Sequence, residues 1–337
     1  MQNVSETKTA GRHRPPIVIV AGPTASGKSY LALALAERFN GEIVNADSMQ
    51  VYQELSTLTA RPSAADMARV PHHLYATQSI AETSSAGIWL KAAVTAVDGI
   101  RDRGRLPIVC GGTGLYLKVL MEGLAPVPDV PPDMVAEAGD LYDRDGAATF
   151  HARLADVDPA AADRLPPADR QRLIRTFVVK QATGRTLDEW QDTQPAEPPV
   201  DGPFLTLVLA PERQDLYARI NGRFSAMVAA GALDEVAALD FNVLDGDLPA
   251  LKALGVPEFR RHLEGECTLE DAIAKAQQTT RNFAKRQSTW FRHQLTADLC
   301  IEAFGDTALE PAIAALEAAF ENRPWEGGGK PRSRSRG

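Results

Sequence analysis

Residues 16–39 read PIVIVAGPTASGKSYLALALAERF, and the fold turns on how that stretch divides. Ile17 to Val20 are β-branched and Ala21 is apolar, the composition of a buried strand. Gly22, Pro23, Thr24, Ala25, Ser26, Gly27, Lys28 and Ser29 follow, and fit G-x-x-x-x-G-K-[ST] without a gap. Leu31, Leu33, Leu35 and the alanines among them favour a helix directly afterwards. Strand, glycine loop and helix in that order distinguish a phosphate site from a chance turn. The two glycines let the backbone curl so that N–H groups point inward, and these, with the helix N-terminus, hold phosphate oxygens. Lys28 would reach the terminal phosphates, and the Ser29 hydroxyl would sit on Mg²⁺. The loop by itself states neither which phosphate compound enters nor whether a phosphoryl group moves.

The fold class that follows is α/β, a P-loop NTPase-like parallel sheet flanked by helices. Gly41 marks the C-cap region of the first helix, and Glu42 to Ala46 read as a second strand. That strand delivers Asp47, Ser48, Met49, Gln50, Val51 and Tyr52 to its carboxyl end, where open α/β sheets carry their ligand crevice. Asp47 therefore stands near the phosphate loop; Asp is equally common as a helix N-cap, and the two roles are compatible. Ile88 to Arg101 reads as a helix and Leu106 to Cys110 as a buried strand. Gly111-Gly112-Thr113-Gly114 follows, where glycines allow close approach of backbone to ligand. Thr113 offers a hydroxyl at the same sheet edge. The neighbouring His72 and His73 face apart in any regular element and have no Cys, Asp or Glu spacing beside them, which favours a structural role over metal binding.

Two proline clusters, Pro126 to Pro132 and Pro195 to Pro203, bracket a stretch of helical character, the pattern of an inserted module with stiff hinges. The expected division is a catalytic core of 14–125 and 201–320, an inserted helical module of 126–200, and flexible termini at 1–13 and 327–337. Inside the module, Leu173, Ile174, Phe177 and Val178 share one helix face. Gln171, Arg172 and Arg175 form a polar-basic edge, which is either a solvated face or a contact surface. Phe204 to Ala210 returns to strand character, and Asp215 to Ala230 reads as a helix with Arg219 and Arg223 one turn apart. Ala272 to Ala297 carries Lys275, Arg281, Lys285, Arg286 and Arg292 and no acidic residue. Arg281, Lys285, Ser288 and Arg292 form one helical stripe, with Trp290, Phe291 and His293 interleaved. Such a stripe suits a polyanion with stackable bases, RNA above all; a surface helix whose aromatics enter the core accounts for it equally well. Asp298 to Ile301 is placed as the last strand, and 327–337 (GGGKPRSRSRG) as a basic low-complexity tail.

The chain of 337 residues, 44% hydrophobic and 24% charged, has the composition of a globular protein with room for one large core and a smaller module. A net charge of −8 excludes a wholly basic nucleic-acid binder but not a local basic surface. Three scattered cysteines fit a reducing cytoplasm. No apolar leader or membrane-length apolar run is visible, so no membrane association is expected.

Several stretches agree with one family. GPTASGKS, NADSMQVY, CGGTGLY, QRLIRTFVVKQATG and KRQSTWFR, in this order, resemble the bacterial tRNA dimethylallyltransferases over about residues 16 to 295. The resemblance implies transfer of a dimethylallyl group from dimethylallyl diphosphate to N6 of adenosine 37, beside the anticodon of tRNA, with release of diphosphate and need of Mg²⁺. It implies diphosphate binding by the loop Gly22 to Ser29, with Ser29 where the family usually has Thr. It matches Asp47 to the catalytic Asp, Thr113 to a contact near the reacting base and Arg223 to a diphosphate-binding Arg. Asp47, Ser48, Met49, Gln50 and Thr113 match tRNA-contacting positions. So do Gln171, Arg172, Leu173, Ile174 and Arg175, and the run Lys285, Arg286, Gln287, Ser288, Thr289, Trp290, Phe291 and Arg292. Leu254 to Glu258 departs from the family, which often has Gly-Tyr and a basic residue there. The expected partners are the tRNA anticodon stem-loop and dimethylallyl diphosphate, and the expected form is a cytoplasmic monomer. The competing readings are a P-loop small-molecule kinase and a nucleotide-binding RNA adaptor. Against the kinase, no apolar strand in a Walker B setting beyond that of Asp47 is evident, and no arginine-rich lid.

Overall fold

Strand β1 (Ile17–Ala21) is buried at every position because both faces of the sheet it belongs to are covered. The structure, a computed structural model, describes residues 15–193, 198–244 and 248–322. The termini expected to be flexible, 1–13 and 327–337, and the hinge proline Pro195 lie outside the described residues. After β1 come α1 (Lys28–Arg38), β2 (Gly41–Asn45), α2 (Ala64–Arg69), the two-residue β3 (His72–His73), α3 (Ala86–Asp102), β4 (Leu106–Gly111) and α4 (Gly114–Glu122). Next are α5 (Pro132–Asp145), α6 (Ala147–Val157), α7 (Pro159–Arg164), α8 (Arg170–Thr183) and α9 (Leu187–Gln191). The sheet then resumes with β5 (Phe204–Leu209), α10 (Arg213–Ala229), α11 (Ala232–Ala237), a 3-10 turn at Pro249–Lys252, α12 (Val256–Leu263), α13 (Leu269–Gln294), β6 (Leu299–Ile301) and α14 (Leu309–Asn322).

The chain divides into two compact units, Met1–Met121 with Pro199–Gly337, and Glu122–Pro198. The first holds a six-stranded sheet in the order β3-β2-β4-β1-β5-β6, parallel throughout. Val18 and Val20 pack with Leu31 and Leu35 of α1 on one face. Ile17, Ile19 and Ala21 pack with Trp89, Val97 and Leu120 on the other. This two-sided burial is the reason β1 reads as an unbroken apolar run. In register, Ala21 pairs with Gly111 and Val208, so β1, β4 and β5 end together at one edge. The second unit is helical, built around Phe150, Leu154, Leu173, Ile174 and Val178.

Two local expectations are corrected. Gly41 is the first residue of β2, and it is Asn40 that takes the left-handed conformation after α1, at φ +52°. Helix α13 begins before Ala272, at Leu269, because the Thr268 side chain caps it by accepting from Asp271 N–H at 3.1 Å. Glu270 and Asp271 therefore belong to this helix and face its positive end, while Arg292 and His293 lie in its last turn, each sign where the dipole favours it. The histidine pair is structural: His72 Nδ1 lies 2.9 Å from Val70 O and His73 Nε2 2.7 Å from Glu42 Oε2.

Candidate active site

The loop after β1 has glycine where nothing larger fits. Gly22 (φ +148°) and Gly27 (φ +88°) hold conformations that side chains disfavour. A Cβ on Gly27 would lie 2.7 Å from Gly305 N, and Gly305 N–H donates to Ser26 O at 2.9 Å, so the segment after β6 braces the loop. The first N–H groups of α1 have no acceptor within the helix and are left for an anion. Thr24 N–H is not among these: it donates to Gln287 Oε1 at 2.8 Å. Lys28 Nζ donates to Pro23 O at 2.8 Å. Burial pulls the Lys28 amine down to about 8, with the charge of Asp47 opposing and that of Arg223 assisting. Cys110, its buried neighbour, is itself pushed up to about 12 by burial and stays a neutral thiol, so Asp47 supplies the countercharge.

Asp47 caps a turn rather than a helix. Its Oδ1 accepts from Met49 N–H at 3.0 Å, its own N–H donates to Asn45 Oδ1 at 2.8 Å, and the next helix starts only at Ala64. The N-cap reading therefore falls. Thr113 is tied to the same turn: Ser48 N–H donates to Thr113 Oγ1 at 2.9 Å, and Thr113 Oγ1 donates to Ser48 Oγ at 3.2 Å. The two loops meet this closely because Gly111 has no side chain; a Cβ there would stand 2.1 Å from the Ala46 carbonyl carbon. Arg223 of α10 donates from Nη2 to Thr24 Oγ1. Burial lowers its guanidinium from the usual value, and the charge of Asp47 opposes that shift.

A cavity of about 310 Å³ joins these groups to an apolar wall: Thr24, Asp47 and Arg223 share it with Leu58, Ile220, Phe224, Met227 and Phe283. An anionic head with a short apolar tail suits such a lining. Sequence reading missed how that wall is held. Glu235 of α11 accepts from Ser56 N–H (2.6 Å), Ser56 Oγ (2.9 Å), Thr57 N–H (2.8 Å) and Leu58 N–H (2.9 Å), and so fixes Leu58. Gln50 helps, donating to Thr59 O at 2.9 Å.

The positions matched to tRNA contacts separate by exposure. On α13, Lys285, Arg286, Thr289 and Arg292 are exposed, while Gln287 and Phe291 are buried. Trp290 packs over Gly114, where a Cβ would meet its ring at 2.3 Å, and Ser288 Oγ donates to Ala284 O. Arg281, at the start of the expected stripe, donates from Nη1 to Asn221 Oδ1 at 2.6 Å. In the helical unit, Gln171, Arg172 and Arg175 are exposed, and Leu173 and Ile174 belong to the core. The departing segment turns inward: Glu258 is buried and accepts from Gly255 N–H at 3.2 Å and Thr279 Oγ1 at 2.8 Å. Ser29 is exposed in the first turn of α1. Among the described residues no cluster of three His, Cys, Asp or Glu could hold a metal by itself, and no helix is long and apolar enough to cross a membrane.

Comparison with known proteins finds relatives over most of the chain. The family model described as IPP transferase matches residues 50–294. The tRNA dimethylallyltransferase of Rhodospirillum centenum is 53% identical over 282 residues, 84% of this chain and 90% of that protein. The protein of the same name from Rhodospirillum rubrum is 52% identical over 283 residues, 84% of this chain and 87% of its own length. Among solved structures, the tRNA isopentenylpyrophosphate transferase of Bacillus halodurans superposes with a TM-score of 0.65 at 31% identity, covering 92% of this chain and 99% of that one. A eukaryotic dimethylallyltransferase crystallised acting on tRNA gives a TM-score of 0.78 at 26% identity, covering 94% and 82%.

Proposed function

The chain belongs to the IPP transferase family of tRNA dimethylallyltransferases, and on that premise we propose that it transfers a dimethylallyl group from dimethylallyl diphosphate to N6 of adenosine 37 of tRNA, releasing diphosphate. The observation that carries the reading is the joint lining of one cavity by Thr24, Asp47 and Arg223 on its polar side and Leu58, Phe224 and Phe283 on its apolar side. The relatives named above lend the kinase reading no support.

In this reading the phosphate loop holds a leaving group. The N–H groups at the start of α1, Lys28 and Arg223 stabilise the charge that grows on the diphosphate as the allylic C–O bond weakens. The N6 lone pair is delocalised into the adenine ring, so the amine is a poor nucleophile. Asp47 accepts the N6 proton as the C–N bond forms, and Thr113 stands beside that turn to meet the base. The adenosine must leave its stack to reach the sheet edge. The exposed Ser29 hydroxyl is a hard oxygen donor of the kind Mg²⁺ takes, and it would hold the ion together with diphosphate oxygens. When bound, the ion would neutralise charge on the departing diphosphate. In the first unit Lys285, Arg286 and Arg292 offer cations to tRNA phosphates; the helical unit, taken by itself, offers the exposed Gln171, Arg172 and Arg175.

The test is incubation with labelled dimethylallyl diphosphate and unmodified tRNA. Label on N6 of the adenosine, with matching tRNA-dependent release of diphosphate, is the expected result; absence of both would overturn the reading. A second expectation concerns α13. Removing the charges of Lys285 and Arg292 should weaken tRNA binding. It should also flatten the log–log salt dependence by about one unit for each tRNA phosphate left without its cation. Unchanged affinity and slope would return this face to ordinary solvated surface.

A further inference from the structure

Gln287 lies within the KRQSTWFR stretch matched to tRNA contacts, yet both ends of its amide are spent inside the protein. It is 7% exposed. Oε1 accepts from Thr24 N–H at 2.8 Å, and Nε2 donates to Gly112 O at 2.8 Å. The fit is closed on both sides, because a Cβ at Gly112 would stand 2.3 Å from Nε2. One amide thus ties the phosphate loop after β1 to the glycine loop after β4. The tie continues from the next residue: Thr113 holds Ser48, which adjoins Asp47.

Resting on the reading of the site given above, we propose that Gln287 is a positioning residue for transfer. It sets the separation between the loop that holds the diphosphate and the Asp47–Thr113 pair that receives the adenine. It also withdraws Thr24 N–H from the phosphate cradle, so the diphosphate seats on the N–H groups further along, at the start of α1. The chemistry asks for an amide of this length. A glutamate accepts from Thr24 but sets a carboxylate oxygen against Gly112 O, and a methionine of similar length makes neither bond.

The test measures single-turnover transfer by Gln287→Met and Gln287→Glu at saturating dimethylallyl diphosphate and tRNA, with tRNA affinity and melting temperature measured separately. Loss of the tie displaces one reacting group relative to the other, and a shift of about 1 Å costs roughly 10²-fold in rate. That loss should appear in both variants with tRNA affinity unchanged. Where Gln287→Met fails to fold, Gln287→Glu carries the test, since it keeps the bond to Thr24. Weakened tRNA affinity with a normal rate at saturation would make Gln287 an RNA contact and overturn the proposal. A lowered melting temperature with a normal saturating rate would reduce it to a fold-stabilising residue. Undiminished transfer by both variants beside an active wild type would sink this proposal alone; a wild type that transfers nothing would sink the functional reading beneath it.

Discussion

Asp47→Asn should lose about 10²–10⁴-fold in the single-turnover rate of transfer, roughly 3–5.5 kcal/mol of transition-state stabilisation. The substitution preserves size and leaves an oxygen able to accept from Met49 N–H, so the turn that Asp47 caps should persist. What is lost is the ability to take a proton from N6. The same change removes the negative charge that acts on Lys28 and Arg223. Asp47 opposes the burial-driven lowering of Lys28, so its loss pulls that amine down further; compared well below pH 8, where Lys28 keeps its charge, affinity for dimethylallyl diphosphate should change far less than the rate. Near-normal transfer by a folded Asp47→Asn protein, checked by rapid quench, would remove Asp47 from the chemistry and leave it a turn residue.

Lys28→Ala should act on the other substrate. Removing one preorganised cation from the developing charge should cost about 10²–10³-fold in rate, with weaker binding of dimethylallyl diphosphate and tRNA affinity unchanged. The amine also predicts a pH dependence whose sign follows from its shift. Burial lowers it to about 8, so it is charged below that pH and loses its proton above it. Attraction for the diphosphate is therefore fully present below about pH 8 and declines as pH rises further. A bound diphosphate favours the charged form, which moves the decline upward in the complex. Calorimetric titration of wild type and Lys28→Ala from neutral pH to pH 10 checks this: the decline should belong to wild type alone. Equal diphosphate affinity in the two proteins would refute the assignment.

The parts of the site that were legible in the sequence are those written in consecutive residues. The phosphate loop needs only a strand, a helix and glycines between them. Asp47 and Thr113 could be placed because each follows a short apolar strand, and parallel strands end at a common edge. The braces were not legible. Thr24 meets Gln287 across 263 positions, and Ser56 meets Glu235 across 179. No local periodicity encodes such a pairing, since a buried glutamine on a helix looks like a polar surface residue until its neighbours are known. The contact of Arg281 was hidden for the same reason: its partner, Asn221, lies on α10. The start of α13 was missed because Thr268 acts through a cap rather than through apolar spacing.

The bracing of the phosphate loop by Gln287 and Gly305 has a consequence for biosynthesis. In chain order the glycine loop is made well before either of its braces. At about 5–20 residues per second, the gap between Thr24 and Gln287 corresponds to about 13–53 s of translation. Through that interval the nascent chain carries the complete motif without a complete site, and until β5 is made β1 also lacks that neighbour. A product cut short before α13 keeps every residue of the motif and loses both the Gln287 and the Gly305 brace.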